Sequence, residues 1–538
     1  VKGAASYDKA EPDTYEIRLK DHFLWIAGHD GKGLESNEKT AAGTLFGVYH
    51  YLRHELGVRW LWPGETGEYI PVVDGLKLNN RLDGIYPPSF QFVRASSLLQ
   101  DPEDFRWGRR VMQMSSARFP IHAGTGGHAF SKWSKLYGKE HPEWFALQKD
   151  GQRRVQPTTG MCISNDGFQT QIVKLWQQAQ MKNPKTRLFI NVKENDTIIR
   201  CTCPKCKSWD GPDERGPTGR YCFHPNVGER YARFYRAVWK KAAQIDPDAR
   251  VSFYAYQSYI FAPRQTKLNA NFYVGLVPDI PFPRRQAYNE WLRGEYRAWK
   301  ESGATLYLRP NYFLSGYCMP EVWYDQYAEE FKFITELGSI GMAIDGPGKM
   351  WSTRGLDYYV MGRLCAEPKA NPEQLAAEFY DGFAAAAPDV KAYFEFYRDY
   401  MRKNTGLIND VYESLPRKWY FHGVDYGFYV HKIFPGEILQ AGFPYLDKAA
   451  AKVQNDPAAR EKIDFLRQGL EHAMASVKCA EIFATPHSSD AERAQAWKAL
   501  REKRAGLPRH AVNGNSLDKV EKRAWQVKDN SIAVGGDT

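Results

Sequence analysis

The sequence predicts an α/β protein in which a TIM-type (β/α)8 barrel follows a small α/β domain and precedes a helical domain. The chain has 538 residues, more than one hydrophobic core usually supports. Short apolar runs alternate with amphipathic stretches over about 280 central residues, a length that suits a barrel of parallel strands. Strand patterns stop after about Cys365. We therefore expect domains at residues 1–86, 87–365 and 366–538.

The first domain is predicted from alternating strands and one amphipathic helix. The segments "TYEIRL" and "HFLWIAG" alternate like paired strands. Leu45, Val48, Leu52 and Leu56 then recur at helical spacing, and Gly57 is a helix stop signal. The segments "GVRWLWPG" and "YIPVV" predict further strands, and the double proline of "RLDGIYPPSF" is typical of a domain junction.

The barrel is predicted from six apolar runs with helical stretches between them. The runs are "FQFVRAS", "LFINVKE", "VSFYAYQ", "NFYVGLV", "ATLYLRP" and "GMAIDG". The clearest helices are "YARFYRAVWKKAAQI" and "EWLRGEYRAWKESG". Strands that alternate with helices indicate parallel strands joined by helical crossovers.

Two helix starts mark the third domain. Asn371-Pro372 and Asp456-Pro457 each place a capping side chain before a proline at the first helical position. Residues from about 510 onward are polar, which predicts an extended tail after the helices.

The composition limits the possible partners. A formal net charge of +10 favours an acidic substrate, but Lys and Arg are scattered, so nucleic-acid binding is not expected. No stretch of 18 apolar residues occurs, so no membrane insertion is expected. The 14% aromatic content suits either stacking on sugars or an aromatic core.

Three acids follow predicted strands, at the ends that form the active site of a parallel barrel. Glu194 and Asp196 come directly after "LFINVK", and Asp345 comes directly after "GMAI". A pair of carboxylates acting as acid and as base or nucleophile is the usual apparatus of glycoside hydrolysis. Each of these acids suits helix capping or pairing with an arginine equally well. They are the candidate catalytic residues.

Candidate substrate-binding residues are of three kinds. Arginines match a carboxylate or sulfate, aromatic rings stack on sugars, and polar side chains near glycines or strand ends orient a ligand. The set comprises Arg94, Trp107, Arg109, His122, His128, Tyr256, Arg309, Asn311, Tyr312 and Trp351. For each of them an ordinary structural role remains the alternative.

A cysteine cluster follows the two acids. Cys201, Cys203 and Cys206 lie within six positions, and Cys222 follows fifteen intervening residues later. Such spacing suits a closed tetrahedral zinc site, with disulfide pairing as the competing interpretation. A site with four protein ligands leaves no position for water, so the metal would be structural. No cofactor is expected for catalysis.

Several motifs resemble known families. "GTLFGVYHYLRHELGVRWLWPG" resembles the small α/β domain before the barrel of family 67 alpha-glucuronidases and family 20 beta-hexosaminidases. "HPEWFALQKDGQRR", "MCISNDGF", "NDTIIRCTCPKC" and "YAYQSY" are similar to the bacterial domain-of-unknown-function family 4838. The resemblance implies a secreted or periplasmic carbohydrate-active enzyme with these three domains, and Asp196 matches its "ND" pattern.

Three hypotheses for the function follow. The leading one is a glycoside hydrolase acting on a uronate- or sulfate-bearing glycan, with Asp196 as acid and Asp345 or Glu194 as base or nucleophile. The second is a polysaccharide lyase with a His or Tyr base and an arginine that neutralises the uronate. The third is a glycan-binding protein without catalysis.

Overall fold

The computed structural model describes residues 10–32, 38–73, 75, 79–119, 127–212, 214, 216, 226–278, 282–314, 318–346, 348–414 and 426–527. The first part of the chain forms β1 (Tyr15–Lys20), β2 (Phe23–Gly28), α1 (Gly43–His54), β3 (Arg59–Trp60), β4 (Glu68–Tyr69) and β5 (Gly84–Tyr86). The central part forms β6 (Phe92–Ala95), α2 (Pro102–Met112), α3 (Trp133–Tyr137), α4 (Asp166–Lys182), β7 (Phe189–Asn191), α5 (Pro204–Lys207), α6 (Gly228–Ala243), β8 (Arg250–Ala255), β9 (Phe272–Leu276), α7 (Gln286–Glu301), β10 (Thr305–Leu308), α8 (Tyr324–Glu336) and β11 (Gly341–Ile344).

Helices alone make up the last part in the described residues. They are α9 (Trp351–Ala366), α10 (Pro372–Asp381), α11 (Ala387–Lys403), α12 (Thr405–Ser414), α13 (Tyr426–Ile433), α14 (Gly436–Gln440), α15 (Phe443–Lys452), α16 (Pro457–Ala484), α17 (Asp490–Ala505) and α18 (Gly514–Trp525). Among the described helices, none combines the length and the apolar character needed to cross a bilayer.

The N-terminal unit has a small core of its own. Strand β1 pairs antiparallel with both β2 and β5, and α1 packs on one face of this sheet. Tyr15 and Ile17 of β1 meet Phe46 and Tyr51 of α1 in a buried cluster. The strand pair and the helix predicted from the sequence are confirmed.

All six predicted barrel strands form, and they make one parallel sheet. Their order is β6-β11-β10-β9-β8-β7. The first strand of this sheet in the chain, β6, is therefore the neighbour of the last, β11. Such neighbours are typical of a closing barrel. The described sheet remains open between β6 and β7.

One buried ring shows that this sheet curls. The Phe119 ring centroid lies 6.1 Å from that of Phe92 in β6, 5.4 Å from Phe189 in β7 and 5.3 Å from Tyr273 in β9. In a flat sheet, five strand spacings would separate β6 from β7 by about 24 Å. The sheet therefore curls around Phe119 into an open half-barrel.

The predicted number of eight strands is not reached in the described part of the chain. After α2, Ser115 exchanges two backbone hydrogen bonds with Val93 of β6, at 2.8 and 2.9 Å, in an antiparallel bridge. This segment runs opposite to β6 and so cannot continue the parallel sheet. Residues 96–119 and 127–188 instead form helices and irregular segments between β6 and β7.

The C-terminal helices share a core with the half-barrel. Helix α9 is buried along its whole length and contacts α2, α8, α10 and α16. The predicted starts of α10 and α16 are confirmed, because the side chains of Asn371 and Asp456 cap them. The predicted extended tail is wrong up to Trp525, because Leu517, Val520 and Trp525 bury one face of α18.

Candidate functional site

Polar side chains converge at the carboxyl ends of the parallel strands. Ser96 follows β6, Lys193 follows β7, Tyr254 lies near the end of β8, Arg309 follows β10 and Asp345 follows β11. We call these five residues the rim cluster. Parallel strands end at the same edge of the sheet, which is why residues so distant in sequence meet there.

A carboxylate that solvent can reach stands at the centre of the rim cluster. Arg309 Nη2 donates to Asp345 Oδ2 at 2.7 Å, and Ser96 Oγ donates to Oδ1 at 3.2 Å. The other terminal nitrogen of Arg309 donates to Asn311 Oδ1, which fixes the guanidinium. The Asp345 side chain is still 33% exposed. It is thus held in one orientation and remains accessible.

Two cations lie close to the ring of Tyr254. Lys193 Nζ and Arg309 Cζ each lie 4.9 Å from the centroid of this ring. Burial alone would raise the pKa of Tyr254, but the positive charges of Lys193 and Arg309 outweigh burial and hold this pKa below its ordinary value of 10.0.

The ammonium group of Lys193 is buried without a full set of partners. The residue is 1% exposed, and burial lowers the pKa of its side chain. The Tyr254 side chain is a favourable electrostatic neighbour. A side-chain hydrogen bond with Tyr254 partly offsets this burial. A buried cation of this kind is costly unless something pairs with it.

Asp196 occupies the loop after β7 and is exposed. Its Oδ1 atom accepts hydrogen bonds from Tyr256 Oη at 3.2 Å and from Gln257 Nε2 at 3.3 Å. Gln257 has a φ of 48°, in the left-handed region that non-glycine residues seldom adopt. The guanidinium of Arg200 holds the Gln257 side chain through Oε1 at 2.9 Å. Backbone strain retained in this way often accompanies a functional site.

Glu194 is a buried anchor of the same loop. Its Oε2 atom accepts from Tyr231 Oη at 2.9 Å and from the Met161 amide at 3.2 Å, and Oε1 accepts from the Asn195 amide at 2.8 Å. Burial raises the pKa of its carboxyl above the ordinary value. With 1% exposure and both oxygens bonded, Glu194 positions the loop and does not face a substrate.

Four of the predicted substrate-binding residues lie in the core. Trp107 and Trp351 pack edge to face with centroids 4.6 Å apart, and Arg109 lies over the rings of Phe46 and Phe105. Tyr312, Trp107, Trp351 and Arg109 are at most 2% exposed. These side chains have no surface to offer a sugar, and we assign them to packing. The high aromatic content is in large part core.

The remaining predicted residues lie nearer the rim. Arg94 of β6 pairs with Glu38 at 3.0 Å, and its side chain is 23% exposed. His128 donates from Nδ1 to the backbone oxygen of Glu194. Tyr256 and Asn311 belong to the site through their bonds to Asp196 and Arg309. His122 lies outside the described residues.

The cysteine cluster gains a member that the sequence did not single out. Cys201, Cys203 and Cys206 gather around Cys162, with all four sulfur atoms within 4.8 Å of one another. All four are free and buried. Cys222, predicted as the fourth ligand, lies outside the described residues.

Sequence reasoning missed Lys193, Ser96 and Gln257 and did not place Tyr254 among the binding residues. A signal for Lys193 was present, because a lysine directly after an apolar strand enters the interior of a barrel, where lysines are rare. No such signal marks Ser96 or Gln257, whose roles arise from contacts with residues distant in sequence.

The comparisons with known proteins place the chain in a family. The model of the family described as Domain of unknown function (DUF4838) matches residues 62–395. The chain belongs to this family. The resemblance to family 4838 that the sequence motifs predicted is thereby confirmed. No curated protein matches. Among solved structures, the chain is similar to a protein described as a GH138 enzyme targeting pectin rhamnogalacturonan II. The two are 11% identical with a TM-score of 0.33, over 94% of this chain and 67% of the other.

Proposed function

We propose that this protein is a glycoside hydrolase that acts on an acidic polysaccharide or oligosaccharide at the strand rim. The observation that carries the proposal is Asp345, an accessible carboxylate fixed by Arg309 and Ser96. Enzymes built on parallel barrels carry their catalytic groups at this end of the strands. A secreted or periplasmic location fits such a substrate and remains a prediction.

The charges of the rim cluster support an anionic substrate. Arg309 pairs with Asp345, and Lys193 adds a buried positive charge at the neighbouring Tyr254 ring. The Arg309 side chain is 19% exposed, so a uronate or sulfate group on the substrate could reach it, whereas Lys193 would attract such a group only through its charge. An arginine also binds planar oxyanions with good geometry.

Asp345 and Asp196 are the proposed catalytic pair. They follow β11 and β7, which have β8, β9 and β10 between them in the curled sheet. Asp345 has a cationic partner and is assigned as base or nucleophile, whereas Asp196 has neutral partners in Tyr256 and Gln257 and is assigned as acid. Their separation in a substrate complex, about 5 Å or about 6.5–9.5 Å, decides between retention and inversion.

A lyase is the second candidate, and Tyr254 is the observation that favours it. A tyrosine with a lowered pKa suits removal of the proton beside a uronate carboxyl group. Arg309 would neutralise that carboxyl group as charge develops on it, and Lys193 adds positive charge at the same ring.

One incubation separates these functions. The parent protein, Asp345→Asn and Tyr254→Phe are incubated with polyuronates, sulfated glycans and a neutral glucan, and both reducing ends and ultraviolet absorbance are recorded. Hydrolysis predicts reducing ends without absorbance, lost in Asp345→Asn. Absorbing products lost in Tyr254→Phe would overturn hydrolysis in favour of elimination, and binding without any product would overturn both.

A further inference from the structure

Four cysteines from two distant segments form a closed group beside the Asp196 loop. Cys162 lies between turns at residues 157–158 and 163–164. Cys201 and Cys203 precede α5, and Cys206 lies within it. Cys162 Sγ lies 3.7 Å from Cys203 Sγ and 3.9 Å from Cys206 Sγ. The four residues are at most 8% exposed.

These spacings match a tetrahedron of thiolates. A zinc ion with four sulfur ligands at about 2.3 Å has sulfur-to-sulfur edges of about 3.8 Å. Tetrahedral sites made of sulfur alone are typical of zinc and of iron. Four protein ligands leave no open position, so such a site is structural.

The surroundings of the sulfurs suit thiolates. The Leu147 amide donates to Cys201 Sγ at 3.3 Å, and the Cys206 amide donates to Cys203 Sγ at 3.4 Å. Ser164 Oγ lies 3.1 Å from Cys206 Sγ. Donors around metal-bound sulfur orient the ligands and stabilise their charge, and neutral thiols are only weak acceptors.

Two arginines complete the charge balance. Four thiolates and one Zn²⁺ carry a net charge of −2. Arg153 lies beside the sulfurs of Cys162 and Cys201, and Arg230 lies near Cys206 and donates to the Cys201 backbone oxygen at 2.7 Å. Arg230 also pairs with Asp210, so part of its charge is already matched.

We propose that Cys162, Cys201, Cys203 and Cys206 bind one structural zinc ion that fixes the loop carrying Asp196. The segments that the metal joins also meet closer to the rim. Asn195 Nδ2 donates to the Thr159 backbone oxygen at 2.8 Å, and a Cβ at Gly160 would come within 2.2 Å of the Ile199 oxygen. The loop from Asn195 is thus held at both ends.

Metal content tests the proposal without reference to activity. Elemental analysis of the purified parent protein should give one zinc per chain, and X-ray absorption should show four sulfurs at about 2.3 Å. A chain with no metal and four reactive thiols, a shell with nitrogen or oxygen ligands, or iron in place of zinc would overturn it. Disulfides in this cluster, detected by mass spectrometry, would also overturn it.

Matched variants identify the fourth ligand. Cys162→Ser should lose the zinc, whereas Cys222→Ser and the buried control Cys479→Ser should keep it. Loss of zinc from Cys222→Ser with retention in Cys162→Ser would overturn the proposed set. If Cys162→Ser does not fold, Cys222→Ser reconstituted with Co²⁺ decides. Absorption bands of a tetrahedral tetrathiolate in this variant support the set with Cys162, and their loss contradicts it.

Discussion

The rim cluster and the interior of the helical region use the same chemical groups in opposite ways. At the rim, Arg309 pairs with Asp345, and the carboxylate is 33% exposed. Where α9 meets the segment before α8, Arg354 lies 3.0 Å from Glu321 and 3.5 Å from Asp357, and all three side chains are at most 2% exposed. We call Glu321, Arg354 and Asp357 the interior cluster.

The difference teaches that perturbed titration does not by itself mark an active site. Burial raises the pKa of Asp357 to about 7, a value that suits a catalytic acid, yet no solvent reaches it. Such buried ionic networks shift pKa values without taking part in catalysis. Access is what separates the two clusters: a substrate can reach Asp345 and cannot reach Asp357.

The largest expected effect is on catalysis at the rim. Asp345→Asn keeps the shape of the side chain and removes its charge, so we expect the rate of reducing-end formation to fall by about 10³-fold. The melting temperature should change little, because the side chain is partly exposed. A variant with the parental rate would remove Asp345 from the proposed mechanism.

Glu321→Gln is expected to act on stability alone. Removing one of its two carboxylate partners leaves Asp357, 3.5 Å away, to offset the buried Arg354 charge, which should lower the free energy of unfolding by about 2 kcal/mol. Urea denaturation measures this change in the free energy of unfolding. The control is Asp464→Asn, because Asp464 forms an exposed pair with Arg460. The control should stay within about 0.5 kcal/mol of the parent. The rate per folded molecule should stay at the parental value, and a loss of rate would contradict the division between the clusters.

Lys193→Met tests the preference for acidic substrates. Loss of this buried positive charge weakens the attraction of the rim for an anionic group, which should raise KM for an acidic substrate by about 10-fold. Lys462→Met removes another buried lysine, in α16, and should leave KM unchanged. Equal KM values for Lys193→Met and the parent would show that this cation does not attract the substrate.

The smallest effect is the pH dependence of the interior cluster. The pKa of Asp357 is raised from 3.8 to about 7, so the folded chain holds a proton that the unfolded chain releases. Stability from this group is present at low pH and is lost as pH rises through 7. Between pH 6 and pH 7 we expect a loss of about 1 kcal/mol in unfolding free energy. Urea denaturation at several pH values gives the slope of unfolding free energy against pH. Asp357→Asn should flatten this slope, and an unchanged slope would assign the pH dependence to other groups.

The sequence predicted the strands well because each is a short, nearly continuous apolar run, as expected for strands buried on both faces. It predicted Asp345 and Arg309 at the rim because strand ends locate a barrel's active site. It failed at α18, where the buried positions Leu517 and Val520 are separated by polar residues.

Contacts between segments distant in sequence could not be predicted from sequence patterns. Cys162 joins Cys201 only through the fold, and nothing near it in the sequence suggests a ligand. Trp107 and Trp351 suit sugar stacking as well as a core until their burial is known. Glu194 and Asp196 are two residues apart, yet one points inward and the other outward.

The most direct test of the central claim is a crystal structure of Asp345→Asn with an acidic oligosaccharide. We predict that a carboxylate or sulfate oxygen of the sugar lies within about 3 Å of the Arg309 guanidinium, between residues 196 and 345. A sugar bound on another surface, with the rim cluster unchanged and empty, would contradict the assignment of this rim as the active site.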